Sequence, residues 1–297
     1  MFKCLIFSLM FLLLMQSSNA QPRKNVQPLK EQIEATLMIP NTHFGVAFKD
    51  MQTGDSLLIN AKDAFHAAST MKTPVLMELF RQAQQGKFAM TDSVVIRNSF
   101  KSIVDGSEYA LTPADDGDPA LYSHIGESWP IDSLAYYMII RSSNLATNLL
   151  IELVGAESVM QSLKTIGAND MKVLRGVEDG KAYEKGLNNT TTAYDLLLLF
   201  EKMAAGQLVS AAASQQMIGI LLDQQFNEII PAQLPAGIKV AHKTGSITGI
   251  HHDSGIVLLP DGRKYVLILL GKFAPEDEPK ATEAMATVSK LVYNFVK

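Results

Sequence analysis

The stretch Ala67-Ala68-Ser69-Thr70-Met71-Lys72-Thr73-Pro74-Val75-Leu76 decides how this chain is read. A hydroxyl sits three residues before an amine, and an apolar run follows at once. Residues three apart share one face of a helix. If a helix begins at Ser69, the amine of Lys72 comes close to the Ser69 hydroxyl, and the positive end of the helix dipole points at the same place. A serine hydroxyl attacks poorly until a nearby base takes its proton. Neutral Lys72 would be such a base. Alone, S-x-x-K is better explained by a helix-capping serine and an exposed lysine. Pro74 is compatible with a first helical turn, where few amide donors are needed.

The elements around this stretch follow from periodicity and turn chemistry. Helices are expected at Leu29–Ile39, Ser69–Gln85 (closed by Gly86), Ile131–Arg141, Asn144–Leu153, Ala156–Ile166, Thr192–Ala205 and Ser210–Leu222. A last helix is expected at Pro279–Phe295. Strands are expected at His43–Lys49, Ser56–Asn60, Lys239–Lys243, Asp253–Leu259 and Lys264–Lys272, the last two joined by Leu259-Pro260-Asp261-Gly262. Such hairpin-like pairs predict an antiparallel sheet rather than repeated βαβ units. The fold expected is α+β and two-lobed: a five-stranded antiparallel sheet flanked by helices, beside an all-helical lobe. The sheet lobe would take residues 28–66 and 225–297, the helical lobe residues 67–224, within one domain spanning 21–297. Residues 98–130, rich in Asp, Gly and Pro, read as a long solvated loop, with a cleft rim as the alternative.

Composition narrows the function classes. The 297 residues are 47% hydrophobic and 19% charged, with a net charge of −4. No basic stripe suggests a nucleic-acid partner. Lys3, the apolar run Leu5–Met15 and the small residues Ser18-Asn19-Ala20 read as a signal peptide cleaved after Ala20, implying export, to a bacterial periplasm or cell surface. The run is too short for a stable membrane span. Cys4, the one cysteine, lies inside this leader, so the mature chain would have no disulfide, thiol nucleophile or thiolate metal site.

Two further clusters give the first its meaning. Ser142-Ser143-Asn144 opens a helical run, where a hydroxyl could relay a proton to a leaving nitrogen and a carboxamide could hold a substrate amide. His242-Lys243-Thr244-Gly245-Ser246 ends an expected strand. An ammonium beside a hydroxyl suits a substrate carboxylate. Gly245 lets a ligand approach the backbone, and the Ser246 amide could join that of Ser69 in an oxyanion hole. S-x-x-K, then S-x-N, then K-T-G, in one chain, resembles the superfamily of serine β-lactamases and penicillin-binding proteins, and its class A β-lactamase branch best. STMKTPVLMELF, SSNLATNLL, LNNTTTAYDL and VAHKTG carry the resemblance over residues 28–297. It implies a Ser69-linked acyl-enzyme formed with a small-molecule β-lactam or a cell-wall peptide ending in D-Ala-D-Ala. Ser69 would be the nucleophile, Lys72 its base, Ser142 the proton shuttle, Asn144 a substrate ligand, and Lys243 with Thr244 the carboxylate site. No cofactor or metal is expected, and the protein is expected to act as a monomer.

The sequence departs from that pattern in places. Ser143 stands where the family usually has Asp, a residue of mostly structural role. In Leu174–Thr192, taking Arg175 as the family's loop arginine puts the deacylating base at Val177, whereas Glu178 is the nearest carboxylate and Glu184 a distant second. A chain without that base would be a penicillin-binding D-Ala-D-Ala peptidase or transpeptidase-like protein with slow deacylation. Other classes fit less well. His251-His252-Asp253 lacks metal-ligand spacing and reads as a surface or rim feature. No G-x-S-x-G elbow supports a Ser-His-Asp esterase, and a sensor acylated by antibiotic would want a signalling domain.

Overall fold

The computed structural model describes residues 24–297; the expected leader, Met1–Ala20, lies outside them. The chain opens with α1 (Gln27–Thr36), then β1 (His43–Asp50) and β2 (Ser56–Ile59). A helical middle follows: α2 (Lys72–Gln84), α3 (Ile131–Ile140), α4 (Asn144–Val154), α5 (Ala156–Thr165), the short α6 (Gly180–Glu184), α7 (Ala193–Ala204) and α8 (Ala211–Leu222). Then come β3 (Lys239–Ile247), β4 (Ile250–Leu258), β5 (Lys264–Lys272) and α9 (Glu278–Val296). The sheet runs β2-β1-β5-β4-β3, antiparallel throughout, so strands from the two ends of the chain pair at β1 and β5. β3 is an edge strand. It extends four residues further than expected, to Ile247, and carries the Lys243–Ser246 cluster as regular sheet.

Two cores explain why this sheet forms. Side chains alternate across a strand. Tyr265, Leu267 and Leu269 of β5 join Phe44, Val46 and Phe48 of β1 beneath α1 and α9. Their neighbours Val266, Ile268 and Leu270, with Ala47, face the helical lobe and join Leu196, Leu199 and Phe200 of α7. Both faces are covered, so the strands are apolar almost without interruption, as a doubly covered sheet requires. Thr192 caps α7, its side chain accepting from the Asp195 amide at 3.0 Å.

Several expectations change. The chain reaches Ser69 in a 3-10 turn, Ala68–Met71, and the α-helix begins only at Lys72, so Ser69 is not its cap. Ala68 has φ +44°, in the left-handed region that non-glycine residues rarely occupy. The backbone beside Ser69 is thus held bent by its surroundings. Residues 98–130 are not simply a solvated loop. Short strand pairs (Phe100–Lys101 with Glu108–Tyr109, Ser93–Val95 with Ser128–Pro130) and 3-10 turns organise the segment, and Asp116 and Asp118 are buried.

The His251-His252-Asp253 run is mostly interior rather than rim. His252 is fully buried against Phe65 and donates to the His66 carbonyl at 3.0 Å, and burial lowers its pKa to about 4. The buried carboxylate of Asp253 accepts from His242 Nδ1 at 2.8 Å and from the Ile230 and Ser254 amides at 3.0 and 2.9 Å. Replacing it with Ala would strand these donors in the interior. Asp253→Ala is therefore expected to lose about 3 kcal/mol or more of stability in urea unfolding; a loss under about 1 kcal/mol would show that the carboxylate is not a keystone of β3 and β4.

Candidate active site

Lys72 is the centre of the arrangement. It is wholly buried at the start of α2. Its Nζ donates to the Ser142 carbonyl at 2.7 Å, the Ser142 hydroxyl at 3.1 Å and the Asn144 side-chain oxygen at 2.8 Å. The first and second sequence clusters therefore meet through one amine. Burial lowers the Lys72 pKa to about 7, against the opposing pull of Asp116 and Glu178. The three bonds use all three protons of the ammonium; the neutral amine, with two, gives up one of them and gains a lone pair.

Ser142 lies at the α3–α4 junction with φ +58°, another strained non-glycine position. Its hydroxyl accepts from Lys72 on one side and from Lys243 Nζ, at 3.1 Å, on the other. Lys243 is also fully buried. Burial first, and the neighbouring Lys72 second, hold its pKa well below the ordinary lysine value. Two cations so close to one hydroxyl repel, so their protonation is coupled. Ser143 is the α4 cap, accepting from the Ala146 amide at 3.2 Å, which agrees with a structural role for this position.

β3 presses on the turn that bears Ser69. A Cβ placed on Gly245 would lie 3.1 Å from the amide nitrogens of both Ser69 and Thr70. That approach explains glycine here and brings the strand's own amides beside Ser69. Ser69, Ser142, Asn144, Thr244 and Ser246 line one cleft of 470 Å³, together with Phe226, Glu228, His251 and Glu278. A second cavity of 610 Å³ shares Ser69, Asn144 and Ser246 and extends to Val177 and Glu178. All three sequence clusters thus converge on one crevice between sheet and helices.

Glu178 belongs to this crevice and Glu184, at the end of α6, does not line it. The Glu178 Oε1 accepts from Asn144 Nδ2 at 2.6 Å. Its carboxylate is open to solvent on the cavity side, yet partial burial raises its pKa, with the Asn144 bond and Lys72 opposing. Val177, the position that the Arg175 spacing selects, is instead held by its backbone. Its amide donates to Asn148 Oδ1 at 2.6 Å and its carbonyl accepts from Asn148 Nδ2 at 3.1 Å. Glu178 has φ +61°, and this left-handed turn accompanies the spacing one residue longer than expected. The loop's neck is closed by Arg175, which donates to the Leu187 and Gly176 carbonyls and to Asn188 Oδ1. Its far end is clasped by Asp179, which accepts from Ser102 Oγ and the Ile103 amide, both at 2.9 Å. Burial works against the Asp179 charge, but these bonds and that from Ala182 outweigh it and hold the pKa below the usual carboxylate range.

Sequence reasoning missed Asn148, Asp116, Gly117 and Asp179. No spacing rule links Asn148, in mid-helix, to a loop nearly thirty residues later, and the three acidic-segment and loop residues sit in irregular chain. Among the described residues, no group of three or more His, Cys, Asp or Glu side chains could hold a metal, and no helix is long and apolar enough to cross a membrane.

The sequence pattern of the beta-lactamase enzyme family matches residues 28–296, and the chain belongs to that family. It is 26% identical over 295 residues to the extended-spectrum beta-lactamase PER-1 of Pseudomonas aeruginosa, covering 96% of this chain and 92% of that one. Beta-lactamase VEB-1, from the same organism, is 25% identical over 94% of this chain and 92% of its own. Among solved structures, PBP-A superposes with a TM-score of 0.78 at 27% identity, covering 93% of this chain and 98% of that one. A variant of PBP-A is described as an acyl-enzyme complex with penicillin G.

The buried amine supplies a direct check. In protein carrying 15N at lysine Nζ, the Lys72 signal is expected to titrate with a midpoint near 7, while exposed lysines titrate near 10.4. A Lys72 midpoint in the ordinary range would contradict its burial.

Proposed function

We propose that the chain is a serine β-lactamase, opening the β-lactam ring through an acyl-enzyme at Ser69. The observation that carries this reading is the buried Lys72 amine, bonded to Ser142 and Asn144, which line the same crevice as Ser69. Neutral Lys72 takes the Ser69 proton as the hydroxyl oxygen attacks the lactam carbonyl. The amides of Ser69 and Ser246 steady the oxyanion, a contribution of ~3–4 kcal/mol for each well-placed donor. As the ring C–N bond breaks, the Ser142 hydroxyl gives its proton to the leaving nitrogen and is reprotonated from Lys72. Asn144 orients the substrate amide, and Lys243 with Thr244 meets the carboxylate. In the second half, Glu178 takes a proton from water as the water attacks the ester carbonyl, and that proton passes to the departing Ser69 oxygen, restoring both groups. The substrate partner is then a small molecule, with no cofactor, and the protein works as an exported, periplasmic monomer after loss of its leader.

A slow-deacylating, penicillin-binding reading is favoured by one observation: Glu178 is one residue beyond the expected position and its carboxylate is bonded to Asn144. Two variants separate the alternatives. Ser69→Ala is expected to abolish covalent labelling by a penicillin in intact-mass spectra; labelling that persists removes Ser69 from the role. Glu178→Gln is expected to lower turnover by roughly 100-fold or more and to accumulate the acyl-enzyme. Unchanged turnover would remove Glu178, and a wild-type adduct that already persists for hours would favour the penicillin-binding reading.

The pH dependence follows from the Lys72 shift. Acylation needs the neutral amine, so its rate should fall as pH drops through about 7. Pre-steady-state bursts at several pH values measure this, and an acylation rate flat between pH 5.5 and 8 would exclude Lys72 as the base.

A further inference from the structure

The acidic segment approaches the catalytic crevice at one place, Asp116-Gly117-Asp118. The Asp116 carboxylate is buried and accepts four hydrogen bonds: from the Asn144 amide at 2.9 Å, the Leu145 amide at 2.8 Å, the Asp118 amide at 2.8 Å and the Tyr122 hydroxyl at 2.9 Å. The first two are orphan donors of the first turn of α4. Ser143 satisfies a third, that of Ala146. Gly117 packs so closely that an added Cβ would lie 2.0 Å from the Arg141 carbonyl oxygen and 3.5 Å from the carbonyl carbon of Ser142. Asp118, also buried, then pairs with Arg141 Nη1 at 3.0 Å. Three consecutive residues therefore grip the junction at which Ser142 is strained.

We propose that Asp116 is a positioning residue for the acylation chemistry: from the acidic segment it supplies the carboxylate that the middle motif lacks at Ser143, and with Gly117 and Asp118 it fixes Ser142 and Asn144 against Lys72. The strain at Ser142 calls for such a restraint, because a left-handed serine persists only where its surroundings over-determine it. Anionic acceptors at a helix N-terminus make strong, charge-assisted bonds, and four donors leave this carboxylate little freedom. Its charge also acts on Lys72. The charged groups facing that amine are Asp116 from the acidic segment, Glu178 from its loop and Lys243 from β3; Asp116 and Glu178 favour the protonated form. The catalytic half of this inference rests on the function proposed above, whereas the structural half does not.

Asp116→Asn keeps the shape and removes the charge. Hydrogen exchange at the Asn144 and Leu145 amides is expected to quicken by about tenfold or more, with the amides of Leu149 and Leu150 unaffected. Acylation of Ser69 by a chromogenic cephalosporin is expected to slow by a similar factor, and its acid limb to move to lower pH, because the amine loses a favourable anion. A purely structural carboxylate would not move that limb. Adding Ser143→Asp to the same chain is expected to restore part of the acylation rate. If Asp116→Asn does not fold, Tyr122→Phe removes one of the four bonds and should give the same two changes in exchange and rate, about threefold each, with the acid limb in place. Unchanged exchange at Asn144 and Leu145 in the folded variant overturns the inference. So does faster exchange with an unaltered acylation rate and acid limb. A wild-type chain that penicillin never acylates would count against the proposed function instead, and the exchange result alone would then decide whether Asp116 holds the junction.

Discussion

Everything in the site is arranged around a buried lysine amine bonded to the α3–α4 junction and to the first residue of α4. An isolated ammonium in a protein interior is costly, so the group must find acceptors or lose its proton. Lys72 does both in part: three oxygens surround it, and its pKa falls to about 7. For those oxygens to be there, the α3–α4 junction must pass directly over the start of α2. Ser142 must then adopt a backbone conformation that it would avoid elsewhere, and the neighbouring chain must hold it. The polar site is in this sense a packing problem, solved by the apolar cores that fix the sheet and helices behind it.

The sheet supplies that scaffolding. β1 and β5 come from opposite ends of the chain and pair along their whole length, so the helical middle is closed over one face of the sheet while α1 and α9 cover the other. The edge strand β3 is left free to present Lys243, Thr244, Gly245 and Ser246 to the turn bearing Ser69. Gly245 sets the approach, since any side chain there would press on the Ser69 and Thr70 amides. The buried His242–Asp253 pair, directly behind, ties β3 to β4 and to the Ile230 backbone.

Two irregular segments complete the crevice, and both are built from local polar bonds rather than from regular structure. Asn148 and Arg175 fold the Glu178 loop, and Asp179 fastens it to the acidic segment at Ser102 and Ile103. The acidic segment in turn grips Arg141 and the start of α4. The Glu178 carboxylate and the Ser142–Asn144 turn are thereby referred to the same piece of chain, which gives this exposed-looking stretch a role in holding two sides of one site.

The amino-acid order carries enough to place the elements and the chemistry-bearing clusters. Apolar runs bounded by turn residues marked the long strands, and helical periodicity the helices, to within a few residues, because burial on both faces of the sheet and on one face of a helix dictates those patterns. S-x-x-K, S-x-N and K-T-G named the convergent residues, and the glycines and serines among them have local reasons to be what they are. The folded chain was needed to see that Ser69 precedes the α-helix in a 3-10 turn, that Lys72 bonds across to Ser142 and Asn144, and that Glu178 rather than Glu184 enters the crevice. It alone showed that Asp116 is buried at the head of α4, and that Asp253 is spent on His242. The physical reason is shared: these are contacts between segments far apart in the chain, set by the docking of helices on a sheet and by irregular backbone. No periodicity or spacing records which distant amide a carboxylate will meet.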